Sequence, residues 1–306
     1  MFKTVTLNAC FDLTLTLTQF SKSDVNRVTG DTTEPAGKGF SLARVLHTLG
    51  SPVESYIMLG EQDAARYAAL AGNSAGKLHF VPVRGTIREN ITLCTPEGIY
   101  KINRVAHDAP GSAPDPKQGL HILAKKLVSS LEPSSIVGIS GSIPPEISKD
   151  DFLYFCKKIS VAGARLAIDC DFLNLDDLRE IKPFIIKPNE HEIVRMTGID
   201  DQDEALKALA NCDIAYILLS LGPQGLRLYS KACDIWAHVP DVPVLSTVVA
   251  GDSALAAFLH ALNNGQDIHS ALILAAATST VTVTKTGSGI GTLQENLDMR
   301  EHIVLT

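Results

Sequence analysis

The run TVVAGDSALAAFLHAL, residues 247–262, sets a carboxylate, Asp252, directly behind a glycine at the point where a helical pattern begins. An aspartate there has two uses. It can cap free N–H groups and complement the positive end of the helix dipole, or it can take a proton beside an anion held on those same N–H groups. Three further stretches carry groups suited to anion chemistry. AGKGFSLARVLHTLG, residues 36–50, places a Gly-Lys-Gly turn before an amphipathic helix, where bare backbone can approach a ligand closely. KPNEHEI, residues 187–193, follows an apolar run and gathers Lys187, Asn189 and Glu192, a cation and two oxygen donors suited to phosphate and hydrated magnesium. SLGPQGL, residues 220–226, is a strand end running into a Gly- and Pro-containing turn open enough to admit a nucleotide. Each alone is an ordinary surface turn, but all four follow strand-like runs.

Other motifs are incomplete. EPAGKGF carries Gly39 where a phosphate-binding P-loop needs its magnesium-binding hydroxyl. TGSGIGT, residues 286–292, sits too late in the chain to open a βαβ unit as a dinucleotide fingerprint must. HEIVR at His191 lacks the second histidine of a zinc protease, and the Gly-Ile-Ser-Gly-Ser run from Gly138 has the wrong spacing for a nucleophile elbow.

Holding such groups together takes a rigid frame, and the chain alternates the elements of one. Short apolar or β-branched runs begin at Thr4, Val53, Ser135, Arg165, Phe184 and Ala215, each followed by a helical pattern such as SLARVLHTLG, KDDFLYFCKKISVAG or DEALKALANC. The alternation predicts a single α/β domain over residues 1–306, with a mostly parallel sheet covered on both faces and ligands at the carboxyl ends of its strands. Two segments break the rhythm. DLTLTLTQF, residues 12–20, alternates with period two, and RENITLCTPEGIYKINRV, residues 88–105, reads as a hairpin turning at Pro96, Glu97 and Gly98. They predict a small second sheet, a lid with strands within 12–35 and 86–105; the alternative is an antiparallel extension of the main sheet.

With 306 residues and a net charge of −7, the chain lacks the basic balance of a nucleic-acid binder, so any anionic substrate must be held by a few local cations. The six cysteines are scattered without zinc spacing and read as reduced thiols of a cytoplasmic protein. MFKTVTLNACF enters a strand pattern without a leader, and the most apolar late run, residues 271–283, is too short and too interrupted to span a bilayer.

Taken in order, LNACFDLTL, AGKGFSLARVL, TIRENITL, SGSIPP, KPNEHEI, SLGPQG and TVVAGDS resemble the ribokinase-like, or PfkB, carbohydrate kinases. The likeness runs along essentially the whole chain and is closest to the hexose-phosphate branch, which holds 1-phosphofructokinases, tagatose-6-phosphate kinases and minor 6-phosphofructokinases. It implies a three-layer α/β/α sandwich with a β-sheet lid, and ATP-dependent phosphorylation of a ketohexose phosphate to the bisphosphate. Asp252 is then the general base, with the backbone of Ala250 and Gly251 as the anion hole. Asn189 and Glu192 organise magnesium. Lys187, Asn189, Ser220, Gly222 and Gly225 line the nucleotide side. Asp12, Gly37, Lys38, Ser41, Arg88, Asn90 and Ser140 face the sugar phosphate. The resemblance also implies ATP and Mg2+, leaves potassium activation open, and suggests a homodimer through the lid.

Three positions depart from the family pattern. Asn8-Ala9 replaces Asn-Pro, Ser41 replaces the Asn of Gly-Lys-Gly-x-Asn, and Val249 replaces the first Gly of Gly-Ala-Gly-Asp. Val249 matters if its position requires positive φ, which a β-branched side chain resists; the anion-hole donors follow it and are expected to survive. Two rivals stand beside this reading: a kinase of an unphosphorylated sugar or nucleoside, against which Arg88 and the TIRENITL block argue, and a weakly catalytic sugar-phosphate-binding protein, motivated by Ser41 and Val249.

Overall fold

Every side chain of the strand Phe2–Thr6 is buried, including Lys3, whose ammonium pairs with Glu54 at 2.7 Å. A strand buried on both faces belongs inside a covered parallel sheet. In the computed structural model, which describes residues 1–306, Phe2–Thr6 lies between Val53–Gly60 and Ile136–Ser140 and runs parallel to both. Lys77–Val83 lies outside Val53–Gly60. On the other side follow Arg165–Asp169, Ile185–Ile186 and Tyr216–Ser220, all parallel. Leu226–Tyr229, Asp234–His238 and Val304–Leu305 complete that edge antiparallel, giving ten strands.

Successive side chains along these strands enter opposite cores: Ile57 and Leu59 face one, Tyr56 and Met58 the other. The helices Lys38–Thr48, Ala64–Ala71, Ala250–Asn263 and Ile268–Val283 cover the first, supplying Leu42, Tyr67, Phe258 and Leu272. Five helices between Pro116 and Ala210 cover the second, with Leu123, Phe155 and Leu206 among their contributions. Each such side chain contributes roughly 1.5–3 kcal/mol by leaving water. Local signals set the helix ends. Lys149–Val161 begins after Ser148, whose hydroxyl accepts from the N–H of Asp151, and carries two acids in its first turn and Lys158 in its last. Lys38–Thr48 lies close on the central strand because residue 39 is glycine; a Cβ there would fall 2.1 Å from the carbonyl oxygen of Val5.

A separate sheet of four strands runs in the order Gly30–Ala36, Cys10–Thr16, Arg88–Thr95, Gly98–Arg104. It is not an extension of the main sheet. The hairpin turns through Pro96 and Glu97, while Cys10–Thr16 pairs parallel with Arg88–Thr95. Three details differ from the sequence reading. The Leu-Thr strand starts at Cys10 and ends at Thr16, because Leu17 then turns inward and is buried. Gly30–Ala36 is a strand although GDTTEPA shows no apolar alternation; it is an edge strand with Pro35, held by its partner's ladder. The FIIKPN strand is only Ile185–Ile186, and Pro188 has no N–H with which to extend it. No helix is long and apolar enough to cross a membrane.

Candidate active site

A cavity of about 770 Å3 opens at the carboxyl ends of the parallel strands, walled on one side by the second sheet. It gathers every residue singled out from the sequence except Ser140, which lines a smaller polar pocket of about 200 Å3. Lys38, Arg88 and Asp169 border both spaces.

Asp252 sits in the first turn of the helix Ala250–Asn263 and is 5% exposed. It does not cap the helix. The N-cap position is Val249, no side chain bonds to the first N–H groups, and Asp252 Oδ1 has no hydrogen-bond partner. Burial, reinforced by the charge of Asp169, pushes its carboxyl up to about 8 against the pull of Lys38 and Lys187. Val249 takes the left-handed conformation, φ 67°, at the position where the family pattern has glycine. The helix ladder begins with Ser253 donating to the carbonyl of Val249 at 2.8 Å, so the N–H groups of Ala250, Gly251 and Asp252 precede it. Glycine at 251 leaves room beneath them for a cation: a Cβ there would lie 2.8 Å from Lys187 Nζ.

Sequence reasoning missed Asp169. It ends the strand Arg165–Asp169, is 3% exposed, and stands between Lys187 Nζ at 3.6 Å and Lys38 Nζ at 3.5 Å. Its position as the last residue of a predicted strand was the available signal. Lys38 is lowered by burial but raised on balance, because Asp169, Asp252 and Glu192 surround it. Two lysines and two buried carboxylates thus meet at the helix N-terminus.

Asn189 and Glu192 do something the sequence reading did not assign. Asn189 Oδ1 accepts from the N–H groups of His191 and Glu192, and Glu192 Oε2 accepts from the N–H of Asn189, a complete capping box on Glu190–Thr197. The amide oxygen of Asn189 is therefore committed to the helix. No cluster of three or more His, Cys, Asp or Glu could enclose a metal ion. Glu192 Oε1 remains free of these bonds and lines the cavity, a single carboxylate donor that suits a hydrated magnesium rather than an all-protein cage. Ser220 bridges to Asn189 at the next strand end, and its hydroxyl is buried without a partner.

On the second sheet, the pairs Cys10↔Arg88 and Asp12↔Asn90 stand side by side in register. Arg88 Nη1 donates to Asn90 Oδ1 at 2.9 Å, and Asn90 Nδ2 donates to Asp12 Oδ1 at 2.8 Å. Burial raises the carboxyl of Asp12, while Asn90 and Arg88 oppose the rise. Arg88 is half-buried, not a freely solvated side chain. In the side pocket, the hydroxyls of Ser140 and Thr6 are buried and unpartnered. Ser41 is buried at the cavity wall on Lys38–Thr48. The cavity also has an apolar stretch of Val239, Pro240, Val242 and Val283, interrupted by Asp241, with Val239 against the turn at Gly225.

A parallel sheet clothed in helices, with one cavity at its strand ends that is charged at a helix N-terminus and carries an apolar stretch besides, is the architecture of a nucleotide-using α/β enzyme. The model of the pfkB family of carbohydrate kinases matches residues 5–295, and the chain belongs to that family. A 1-phosphofructokinase of Rhodobacter capsulatus is 30% identical over 286 residues, covering 90% of this chain and 88% of the relative. Phosphofructokinase-2 of Escherichia coli, solved with substrates and products, superposes with a TM-score of 0.84 at 21% identity over 98% of both chains. Ribokinase of Arabidopsis thaliana, solved with ribose and ATP, gives 0.74 at 21% identity, again over 98% of both. The fold is ribokinase-like.

Proposed function

We propose that the protein transfers the γ-phosphoryl group of ATP to a ketohexose phosphate, giving the bisphosphate, with fructose 1-phosphate as the preferred acceptor. The observation that carries this reading is Asp252: a buried carboxyl with Oδ1 unpartnered at an uncapped helix N-terminus, within the electrostatic influence of Lys38 and Lys187. The name of the 30%-identical relative supports the choice of acceptor.

Phosphoryl transfer asks the protein mainly for positioning and charge stabilisation. The N–H groups of Ala250 and Gly251 receive the transferring group, and Lys187 adds positive charge beneath them. Asp252 takes the proton of the attacking hydroxyl. The apolar stretch of the cavity receives the base, and the turn at Gly222 lets the nucleotide lie against backbone. Arg88 holds the phosphate already on the substrate, because a guanidinium matches phosphate oxygens with a planar fork. Glu192, through its free oxygen, would hold hydrated magnesium, which when bound would supply neutralisation of phosphate charge.

The second sheet serves as a lid over the sugar. Its outer strand Gly98–Arg104 exposes Ile99 and Ile102, with Val105 just beyond, and an uncovered apolar edge of this kind supports pairing with a second copy. The six free thiols suit a reducing compartment such as the cytoplasm. An ADP-release assay tests the reading directly, run over fructose 1-phosphate, fructose 6-phosphate, tagatose 6-phosphate and the free sugars, with and without chelator and potassium. Turnover of a phosphorylated ketohexose, abolished by chelator, is the expected outcome. Turnover confined to free sugars would overturn it.

A further inference from the structure

The first turn of Ala250–Asn263 carries the N–H groups and the carboxylate that the proposed reaction needs, yet it lacks the usual means of holding a helix start. The residue before it is a valine, which offers no side-chain acceptor and lies at φ 67°. A β-branched residue is strained there. An uncapped start in that condition frays unless something outside the helix fastens it.

The last turn of the next helix, Ile268–Val283, does so twice. The hydroxyls of Thr282 and Ser253 hydrogen-bond at 2.8 Å, and Thr282 also reaches the carbonyl of Thr278 at 2.8 Å. Both residues are almost wholly buried, and neither lines the cavity. The carbonyl of Val283 accepts from the N–H groups of Leu245 at 2.8 Å and Ser246 at 3.3 Å, in the segment that leads to Val249. So the approach to the helix and its first turn are tied to the same place. The residues these two helices bury in the first core are alanines, leucines and a phenylalanine, and of the buried threonines of Ile268–Val283, Thr278, Thr280 and Thr282, Thr282 is the one that reaches Ser253. Packing gains nothing from a hydroxyl pair there, since valine and alanine fill the space without desolvating an O–H. A hydrogen bond adds what packing lacks, a fixed direction.

We propose that Thr282, acting through Ser253, is a positioning residue: the hydroxyl pair stands in for the missing N-cap and holds Ala250, Gly251 and Asp252 in the geometry that phosphoryl transfer requires. This rests on the kinase function proposed above. Thr282→Val removes the hydroxyl and keeps the shape; Thr282→Ser keeps the hydroxyl; Ser253→Ala removes the partner. For each variant and the double Ser253→Ala/Thr282→Val, kcat and both KM values are measured. Amide exchange is followed by mass spectrometry in the peptide covering residues 249–255, alongside Tm.

Thr282→Val should lower kcat roughly three- to tenfold, the worth of one neutral hydrogen bond, with each KM within about twofold. Exchange in the 249–255 peptide should quicken by a similar factor, while the helix Lys149–Val161, on the opposite face of the sheet, stays unchanged. Thr282→Ser should restore both quantities, and the double variant should be no slower than the worse single one. A lowered Tm with unchanged kcat and unchanged exchange at this turn would overturn the proposal, as would a serine variant as impaired as valine. If the wild-type protein turns over no sugar or sugar phosphate, the kinase function fails, and exchange alone still decides whether Thr282 holds the turn.

Discussion

Replacing Arg88 separates a sugar-phosphate kinase from a kinase of free sugars. Its guanidinium has five N–H donors. One donates to Asn90 Oδ1 at 2.9 Å and another to the carbonyl of Asn8 at 3.4 Å, leaving three to face a ligand. Charge-assisted hydrogen bonds contribute about 1.5–3 kcal/mol, so Arg88→Ala should lower kcat/KM for a phosphorylated ketohexose roughly ten- to 150-fold. A second effect accompanies the first. Arg88 helps hold down the carboxyl of Asp12, which burial already raises, and without the guanidinium that carboxyl rises further. Any sugar that Asp12 contacts then suffers, phosphorylated or not. The decisive quantity is therefore the ratio of kcat/KM for the phosphorylated substrate to that for its unphosphorylated parent, with KM for ATP as a control. Arg88→Ala should collapse the ratio and leave the ATP value nearly unmoved. Arg88→Lys should recover only part of it, since a point charge replaces a fork. If the ratio stays put while both substrates fall together, Arg88 acts only through Asp12 and Asn90 and the phosphate lies elsewhere.

Asp252→Asn keeps the shape and loses the proton acceptor, so turnover should fall about 10²- to 10⁴-fold with substrate binding retained; near wild-type kcat would leave Asp252 without a role as base. Because burial and Asp169 raise the carboxyl of Asp252 and only its ionised form accepts a proton, kcat/KM should climb with pH through a raised acidic limb. Asp169→Asn removes the like charge and frees two lysines, so that limb should move to lower pH; a pH–rate profile with an unmoved or raised limb refutes the assignment. Val249→Gly should leave stability within about 1 kcal/mol, since relief of left-handed strain offsets lost burial, whereas Val249→Ala keeps strain and loses packing and should be less stable than the glycine variant by about 1–2 kcal/mol in denaturant unfolding.

Local chemistry was legible in the residues themselves. A Gly-Asp at a helix start marked a candidate anion site because the capping rules and the free N–H groups depend on near neighbours alone. The Asn189-x-x-Glu192 spacing was equally local, yet it admitted two uses. Reading it for magnesium overlooked that the same spacing forms a capping box, which the backbone of Glu190–Thr197 takes up. Strand runs such as VESYIML were legible for the same reason: buried strands are continuous apolar segments.

By itself, then, the sequence determined the alternation of strands and helices, the catalytic candidates and the family resemblance, while several strand ends were set by tertiary pairing. Strand order was not written in any window of it, and strand order decided which residues meet. Asp169 looks like any acid closing a strand until Ser140↔Asp169 register and the neighbouring Ile185–Ile186 strand bring Lys38 and Lys187 to its two oxygens. Arg88 and Asp12, far apart in the chain, become neighbours only through the parallel pairing of Cys10–Thr16 with Arg88–Thr95. The Ser253–Thr282 pair likewise depends on how two helices lie together. Periodicity and capping act over a few residues and are encoded there; the elevated carboxyl of Asp252, the paired lysines and the arginine fork arise from charges brought within a few ångströms out of distant segments, which only the packed sheet and its helices decide.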